Sequence, residues 1–83
     1  MRGTINEINQ NRGMVAILTE NDDFSIFELL GGDPIEKSDK VHWENDTGLG
    51  RENLTNLSQG ISYEVYFQNH HVPKNQLRQQ LLY

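Results

Sequence analysis

Two adjacent histidines, His70 and His71, are the residues of this chain that come closest to a metal-binding pattern. Val72 and Pro73 follow them and indicate an extended segment, on which neighbouring side chains point to opposite sides. No third ligand stands nearby in the sequence, and the chain contains no cysteine. The sequence therefore predicts no metal site, and we expect both histidines to lie exposed at the end of a strand.

The carboxylates between residues 20 and 46 are the next candidates for chemistry, but their spacing is not that of a calcium-binding loop. The sequence has no nucleophile elbow, no phosphate-binding glycine loop ending in Lys-Ser/Thr and no cysteine nucleophile. Gly48 and Gly50 lack the flanking strand and helix of a dinucleotide-binding turn. We therefore expect no catalytic activity and no cofactor, which leaves a binding role.

Charge divides the chain into an acidic half and a mildly basic remainder. The net charge of −5 argues against a strong, general nucleic-acid binder. Residues 20–46 carry nine carboxylates and two lysines, whereas the remainder has a net charge of +2. The remainder can still present a polyanion-binding face, or the acidic surface can simply keep a small domain in solution. With no secretory segment and no apolar run near the about 18 residues of a membrane span, we expect a cytoplasmic protein without membrane contact.

Short strands joined by polar turns must position any binding residues in this chain. Eighty-three residues make one small domain. Alternating patterns and β-branched residues predict five strands. The predicted strands cover residues 2–9, 14–19, 24–30, 40–44 and 61–67, and a long loop covers residues 45–60. Val41 and Trp43 share the inward face of the fourth strand. Five short strands suit a closed barrel, which removes most exposed sheet edges.

The first 29 residues resemble the opening of a cold-shock domain. That family begins Gly-x-Val-Lys-Trp-Phe-Asn, continues Lys-Gly-Phe-Gly-Phe-Ile and then, after a turn, Asp-Val-Phe-Val-His. The matching stretches here are Gly3-Thr4-Ile5-Asn6-Glu7-Ile8-Asn9, Arg12-Gly13-Met14-Val15-Ala16-Ile17 and Ser25-Ile26-Phe27-Glu28-Leu29. Weaker likenesses follow at residues 39–44 and 54–57. The resemblance implies an all-β fold, a five-stranded Greek-key OB-fold barrel, over residues 1–69.

Cold-shock domains stack nucleic-acid bases on aromatic side chains of their first three strands, and this chain has lost most of those aromatics. The replacements are Glu7 for Trp, Met14 and Ala16 for two Phe, and Leu29 for His. Phe27 keeps its ring and Arg12 its positive charge. The resemblance therefore implies a weak site for single-stranded RNA or DNA. Its expected residues are Arg2 and Arg12 at phosphates, Phe27 for stacking, and Met14 and Leu29 for apolar contact.

The apolar patch expected from Met14, Ala16, Phe27 and Leu29 admits two other interpretations. It can be a protein-contact surface, because an exposed apolar patch usually marks an interface. In that case the chain is an interaction module, either alone or as one domain of a larger protein. The patch can also be covered by the C-terminal segment of the same chain.

The C-terminal segment, residues 70–83, lies beyond the usual end of the cold-shock domain. Pro73 suits the first turn of a helix, and three leucines recur at helical spacing, so the segment predicts a short helix. The leucines are Leu77, Leu81 and Leu82. They can dock on the barrel, plug one end of it, or meet a protein partner, including a second copy of the chain.

Overall fold

Six β-strands and one short helix make up the protein in the computed structural model, which describes residues 1–83. The strands are β1 (Arg2–Asn9), β2 (Met14–Thr19), β3 (Phe24–Leu29), β4 (Lys40–His42), β5 (Gly50–Asn56) and β6 (Ile61–Val72). A 3-10 turn, Lys74–Gln76, leads into α1, Leu77–Gln80. Neither of these is long and apolar enough to cross a membrane.

The strands close into one antiparallel barrel in the order β1-β2-β3-β6-β5-β4, with β4 pairing back to β1. The predicted all-β barrel with a C-terminal helix is confirmed, but the predicted number of five strands is wrong. The additional strand is β5, which lies inside the expected loop 45–60. Its sequence is polar and buries only Leu54 and Asn56, so no apolar alternation marks it. It forms because each of its residues pairs with β6, from Gly50 opposite Phe67 to Asn56 opposite Ile61.

Strand β6 is longer than its alternating pattern predicts. The alternation ends at Phe67, but the strand continues to Val72, so it passes the expected end of the barrel at residue 69. Pro73 has no backbone N–H to donate to a ladder and stops the strand. Residues 73–83, which follow β6, are called the C-terminal arm below.

The main core fills the barrel with the inward side chains of all six strands. Its members are Ile5, Val15, Ile17, Phe27, Val41, Trp43, Leu54, Tyr63, Val65 and Phe67. The Phe67 ring lies at its centre, 5.7 Å from the Phe27 ring centroid and 5.2 Å from that of Trp43. The predicted core position of Trp43 is confirmed.

A second core lies outside the barrel, between the outer face of β2 and β3 and the C-terminal arm. Its members are Met14, Ala16, Phe24, Ile26, Val72 and Leu81. The arm is held there by two long-range hydrogen bonds: Asn9 Nδ2 donates to the Leu81 carbonyl at 2.7 Å, and the Tyr83 hydroxyl donates to the Ile8 carbonyl at 3.2 Å. Strands β2 and β3 are thus buried on both faces, which explains their continuous apolar runs. Of the roles considered for the arm, docking on the barrel is the one observed.

The buried carboxylate of Asp39 ties the loop before β4 to the barrel. Its Oδ2 atom accepts hydrogen bonds from Asn56 Nδ2 and Gln59 Nε2, both at 2.8 Å, and from the Glu36 N–H at 2.9 Å. Its carbonyl accepts from the Ile5 N–H at 2.8 Å. Burial alone would raise the pKa of the Asp39 carboxyl, but the three hydrogen bonds favour the charged form and hold that pKa below its usual value.

Replacement of Asp39 by asparagine is expected to lower the free energy of unfolding by about 1–3 kcal/mol at pH 7, because the amide is a weaker acceptor and carries no charge. A carboxylate with a lowered pKa stabilises the fold above its unfolded pKa of about 3.9, and this contribution is lost as the pH falls through the folded value. The difference between the native protein and Asp39→Asn should therefore shrink at pH 3. Urea denaturation at both pH values measures it. An equal difference at the two pH values would contradict this role of the charge.

Candidate functional site

Phe27, the expected stacking residue, lies in the main core and not on the surface. Its side chain is 0% exposed and packs edge-on against Phe67. On β3 it is Ile26 and Glu28 that face outward, one residue out of step with the alignment to the cold-shock pattern. Because side chains alternate along a strand, an offset of one residue exchanges the two faces. The expected role of Phe27 in stacking is therefore wrong, and Glu28 is not forced into the core.

The remaining residues of the expected apolar patch do not share one exposed surface either. Met14 and Ala16 face outward as expected, but the C-terminal arm covers them, leaving Met14 6% exposed. Leu29 is half-buried and packs against the main core. An exposed platform of Met14, Ala16, Phe27 and Leu29 does not exist, because two of its members point inward and the arm covers the other two.

The two arginines expected at phosphates are both exposed but lie far apart. Arg2 begins β1, whereas Arg12 lies in the turn that follows the strand's last residue, Asn9. A strand rises about 3.3 Å per residue, so the length of β1 separates them by roughly 20 Å. The structure does not bring them into one site, and each belongs to a different groove.

Arg12 lines the largest groove on the surface, which lies between the barrel and the C-terminal arm and is called the arm groove below. Its volume is about 580 Å³. The barrel contributes Arg12, Met14, Glu28 and Gln68, and the arm contributes Gln79, Gln80 and Leu82. Gln68 Nε2 donates to Glu28 Oε1 at 3.2 Å, and Gln80 Oε1 accepts from Asn69 Nδ2 at 3.4 Å. No local sequence pattern indicates this groove, because it forms only when the arm folds back.

Arg2 lies in a cationic region at the opposite end of β2. Arg2 and Lys40 line a groove of about 270 Å³, and Lys74 lines a neighbouring one that shares Leu18. Arg2, Lys40 and Lys74 are called the basic surface below. None of them forms an ion pair, and Lys40 Nζ donates only to Thr4 Oγ1 at 3.1 Å. The carboxylates of Glu20 and Asp22 lie on the rims of the same grooves.

Two other cations, Lys37 and Arg51, are paired with carboxylates. Lys37 Nζ lies 2.9 Å from Glu7 Oε1, and Arg51 Nη1 lies 2.6 Å from Glu64 Oε1. The hydrogen bond from Lys37 lowers the pKa of Glu7. Glu7 stands where the cold-shock pattern has Trp, and this pairing offsets much of the negative charge it brings to that position.

Tyr66 is an exposed aromatic residue on the sheet that is not among the site residues predicted from the sequence. It lies on the outer face of β6, is 42% exposed, and is paired in register with Glu28 of β3. The Tyr66 ring lies over Gly50 of β5, on the side of β6 away from the arm groove, with Cζ 4.0 Å from where a Cβ at Gly50 would stand. Apolar and polar residues alternate along β6, and Tyr66 falls on the polar face, so the sequence alone could have indicated that this ring is exposed.

The expectation that both histidines lie exposed is wrong for His70, which is half-buried. His70 Nε2 donates to the Gly48 carbonyl at 2.8 Å, and Nδ1 is hydrogen-bonded to the Ser25 hydroxyl, also at 2.8 Å. This serine–histidine pair offers no reachable nucleophile, because Ser25 is 2% exposed. His71 is exposed and its Nδ1 lies 2.8 Å from Asp23 Oδ2. The structure has no group of three His, Asp or Glu side chains that could hold a metal ion.

The outer surface of the barrel therefore carries three distinct features: the basic surface, the C-terminal arm and the arm groove. Cations without carboxylate partners can contact an anion, and a groove of this size can hold a small ligand. Comparison of the chain with protein-family models, with curated proteins and with solved structures found no match.

Proposed function

We propose that this protein is a small, non-catalytic binding module of the cold-shock type, with an OB-like barrel, that binds single-stranded RNA or DNA weakly. The strand order supports an OB-like plan with one strand added to the ring, since β4 and β5 both lie between β1 and β6. The sequence likeness over β1 and β2 supports the same plan.

The observation that carries the proposal is the basic surface. Arg2 and Lys40 face outward on neighbouring strands and Lys74 comes from the arm, so three elements bring three cations around Leu18. These three cations line neighbouring grooves and none of them forms an ion pair with a carboxylate, and this grouping marks the face. Each can neutralise one phosphate and release a counterion.

The affinity is expected to be low and to depend strongly on salt. Stacking on exposed aromatics is worth about 1–3 kcal/mol per base in single-strand binders, and the burial of Phe27 removes that contribution here. Charge contacts supply most of the remaining affinity. For three phosphate contacts on a single strand, the logarithm of the affinity should fall with the logarithm of the salt concentration with a slope of about −2.

Replacing Arg2, Lys40 or Lys74 singly by alanine is expected to reduce the magnitude of this slope by about 0.7, and the triple variant should lose nearly all of it. Fluorescence anisotropy of a labelled 12-residue oligonucleotide of mixed sequence, from 20 to 150 mM salt, measures the slope. Arg51→Ala is the matched control, because Arg51 is exposed but paired with Glu64 on β6. A triple variant that binds like the native protein, or an equal loss in the control, would overturn the assignment of the basic surface.

A protein-contact module is a second candidate, and the arm supports it. The arm is itself a polypeptide segment seated on the outer face of β2 and β3, with Leu81 inserted beside Ala16 and Ile26 in the second core. A partner segment, or the arm of a second copy, can use the same face if the arm leaves it. Light scattering at increasing protein concentration tests whether a second copy of the chain binds this face. An oligonucleotide titration that changes no amide NMR shifts would favour protein contact over nucleic-acid binding.

A further inference from the structure

His42 is the one histidine of this chain whose imidazole forms no hydrogen bond and no ion pair within the protein, whereas His70 and His71 are both hydrogen-bonded. It lies on β4, is half-buried, and stands between two core residues, Val41 and Trp43. Because side chains alternate along a strand, its ring points to the outer face of the barrel. Both ring nitrogens are therefore available to a ligand on that face.

His42 completes a block of four outward side chains on β1 and β4. Arg2 is paired with it in register, and Thr4 is paired with Lys40. Side chains directly opposite each other on antiparallel strands stand about 5 Å apart at Cβ, and side chains two residues apart on one strand stand about 7 Å apart. One phosphate can therefore touch Arg2 and His42 together, and a neighbouring phosphate can touch Lys40.

Two cations face the His42 ring from its own strand and from β1, and none faces it from β5. The cations are Lys40 and Arg2, and β5 presents the neutral Thr55 in register with His42. Both cations disfavour a positive charge on the ring, whereas a phosphate bound between them favours it. Binding of a phosphate and protonation of His42 should therefore strengthen each other.

Three exposed carboxylates lie at the edge of this face. Glu44 follows His42 by two residues, Asp46 is paired with the N-terminal amine at 3.1 Å, and Glu20 accepts from the Arg2 backbone N–H at 2.9 Å. Glu44 favours the protonated ring already in the free protein, so it opposes the two cations. None of the three belongs to the block of outward side chains on β1 and β4.

We propose that protonated His42 is a fourth cation beside the basic surface, so that this protein binds single strands more tightly in mild acid than in mild alkali. The inference rests on the proposed binding of single strands. A histidine ordinarily changes its charge between pH 5 and 8. Each additional phosphate contact on a single strand adds about 0.7 to the magnitude of the salt slope. The slope should therefore steepen from about −2 at pH 8.0 to about −3 at pH 6.0.

Fluorescence anisotropy at pH 6.0 and pH 8.0, from 20 to 150 mM salt, tests the proposal with a 12-residue oligonucleotide of mixed sequence whose label does not respond to pH. The native protein should bind at least about threefold more tightly at pH 6.0 in 50 mM salt. His42→Gln, which cannot be protonated, should lose this gain and the steeper slope. His71→Gln is the matched control and should keep both, because His71 is exposed and paired with Asp23 on a different part of the barrel.

His42→Lys separates the charge of this side chain from any structural role. Its charge is present at both pH values, so it should bind at pH 8.0 about as tightly as the native protein does at pH 6.0. A gain at pH 6.0 that survives in His42→Gln would overturn the inference. So would equal affinities and slopes of the native protein at the two pH values, and binding that still depends on Arg2 and Lys40 would then leave the proposed function standing. Binding at neither pH would overturn both.

Discussion

Replacement of Phe27 by alanine is expected to lower the free energy of unfolding by about 3–5 kcal/mol, because it removes a fully buried ring from the centre of the main core. The free energy of unfolding of a small domain is only about 5–15 kcal/mol, so this one substitution can remove most of the stability. Urea denaturation followed by the fluorescence of the buried Trp43 measures the loss. Phe27→Leu, which keeps most of the volume, should cost less than about 1.5 kcal/mol and stays measurable if the alanine variant does not fold.

Tyr66→Ala is the matched control for Phe27→Ala. Tyr66 is an aromatic residue on the neighbouring strand, but it faces outward and is partly exposed, so its loss should change stability by about 1 kcal/mol or less. The opposite pattern would restore the stacking role that the cold-shock resemblance implies. A Phe27→Ala protein with native stability and weakened oligonucleotide binding would show that the ring faces the ligand.

Replacement of Leu81 by alanine should destabilise the protein by about 2–4 kcal/mol, because Leu81 is the arm residue that fills the second core. Leu82→Ala, the same substitution at the neighbouring residue, is the matched control. Leu82 is 52% exposed, and Leu82→Ala should change stability by no more than about 0.5 kcal/mol. Thermal or urea denaturation of both variants makes the comparison.

Hydrogen exchange adds a local readout for Leu81→Ala. Release of the arm should speed exchange at the backbone amides of residues 81–83, which are bonded to carbonyls of the arm itself. The amides of β5, on the far side of the barrel, should change only through global stability. Equal stabilities for Leu81→Ala and Leu82→Ala would mean that the arm does not pack on the barrel as described.

The sequence predicts the core of this fold well where apolar and polar residues alternate along a strand. Val41 and Trp43 are buried together as expected, and the meander of β1, β2 and β3 follows the predicted boundaries closely. Strand β5 is not predictable in this way. It has one apolar buried residue, Leu54, and its conformation comes from pairing with β6, which is a contact made across the fold and not along the segment.

The candidate site is less predictable than the fold, for two physical reasons. Side chains alternate along a strand with a period of two, so an alignment of β3 that is wrong by one residue predicts a surface position for Phe27. In the structure Phe27 lies in the core. The arm groove, in turn, joins Arg12 to Gln79, residues that are far apart in the chain and that only the docking of the arm brings together. Arg12 and Met14 were selected from the sequence, but their polar neighbours carry no signal of their own.

The docking of the arm also sets an order in which the protein can fold. The bond between Asn9 and Leu81 joins residues 72 positions apart, so its loop-closure entropy is large and we expect it to form late in folding. While the chain is being synthesised, the outer faces of β2 and β3 remain uncovered until residue 81 has left the ribosome. For that interval the nascent barrel exposes Met14, Ala16 and Ile26 as an apolar surface that can associate with other apolar surfaces.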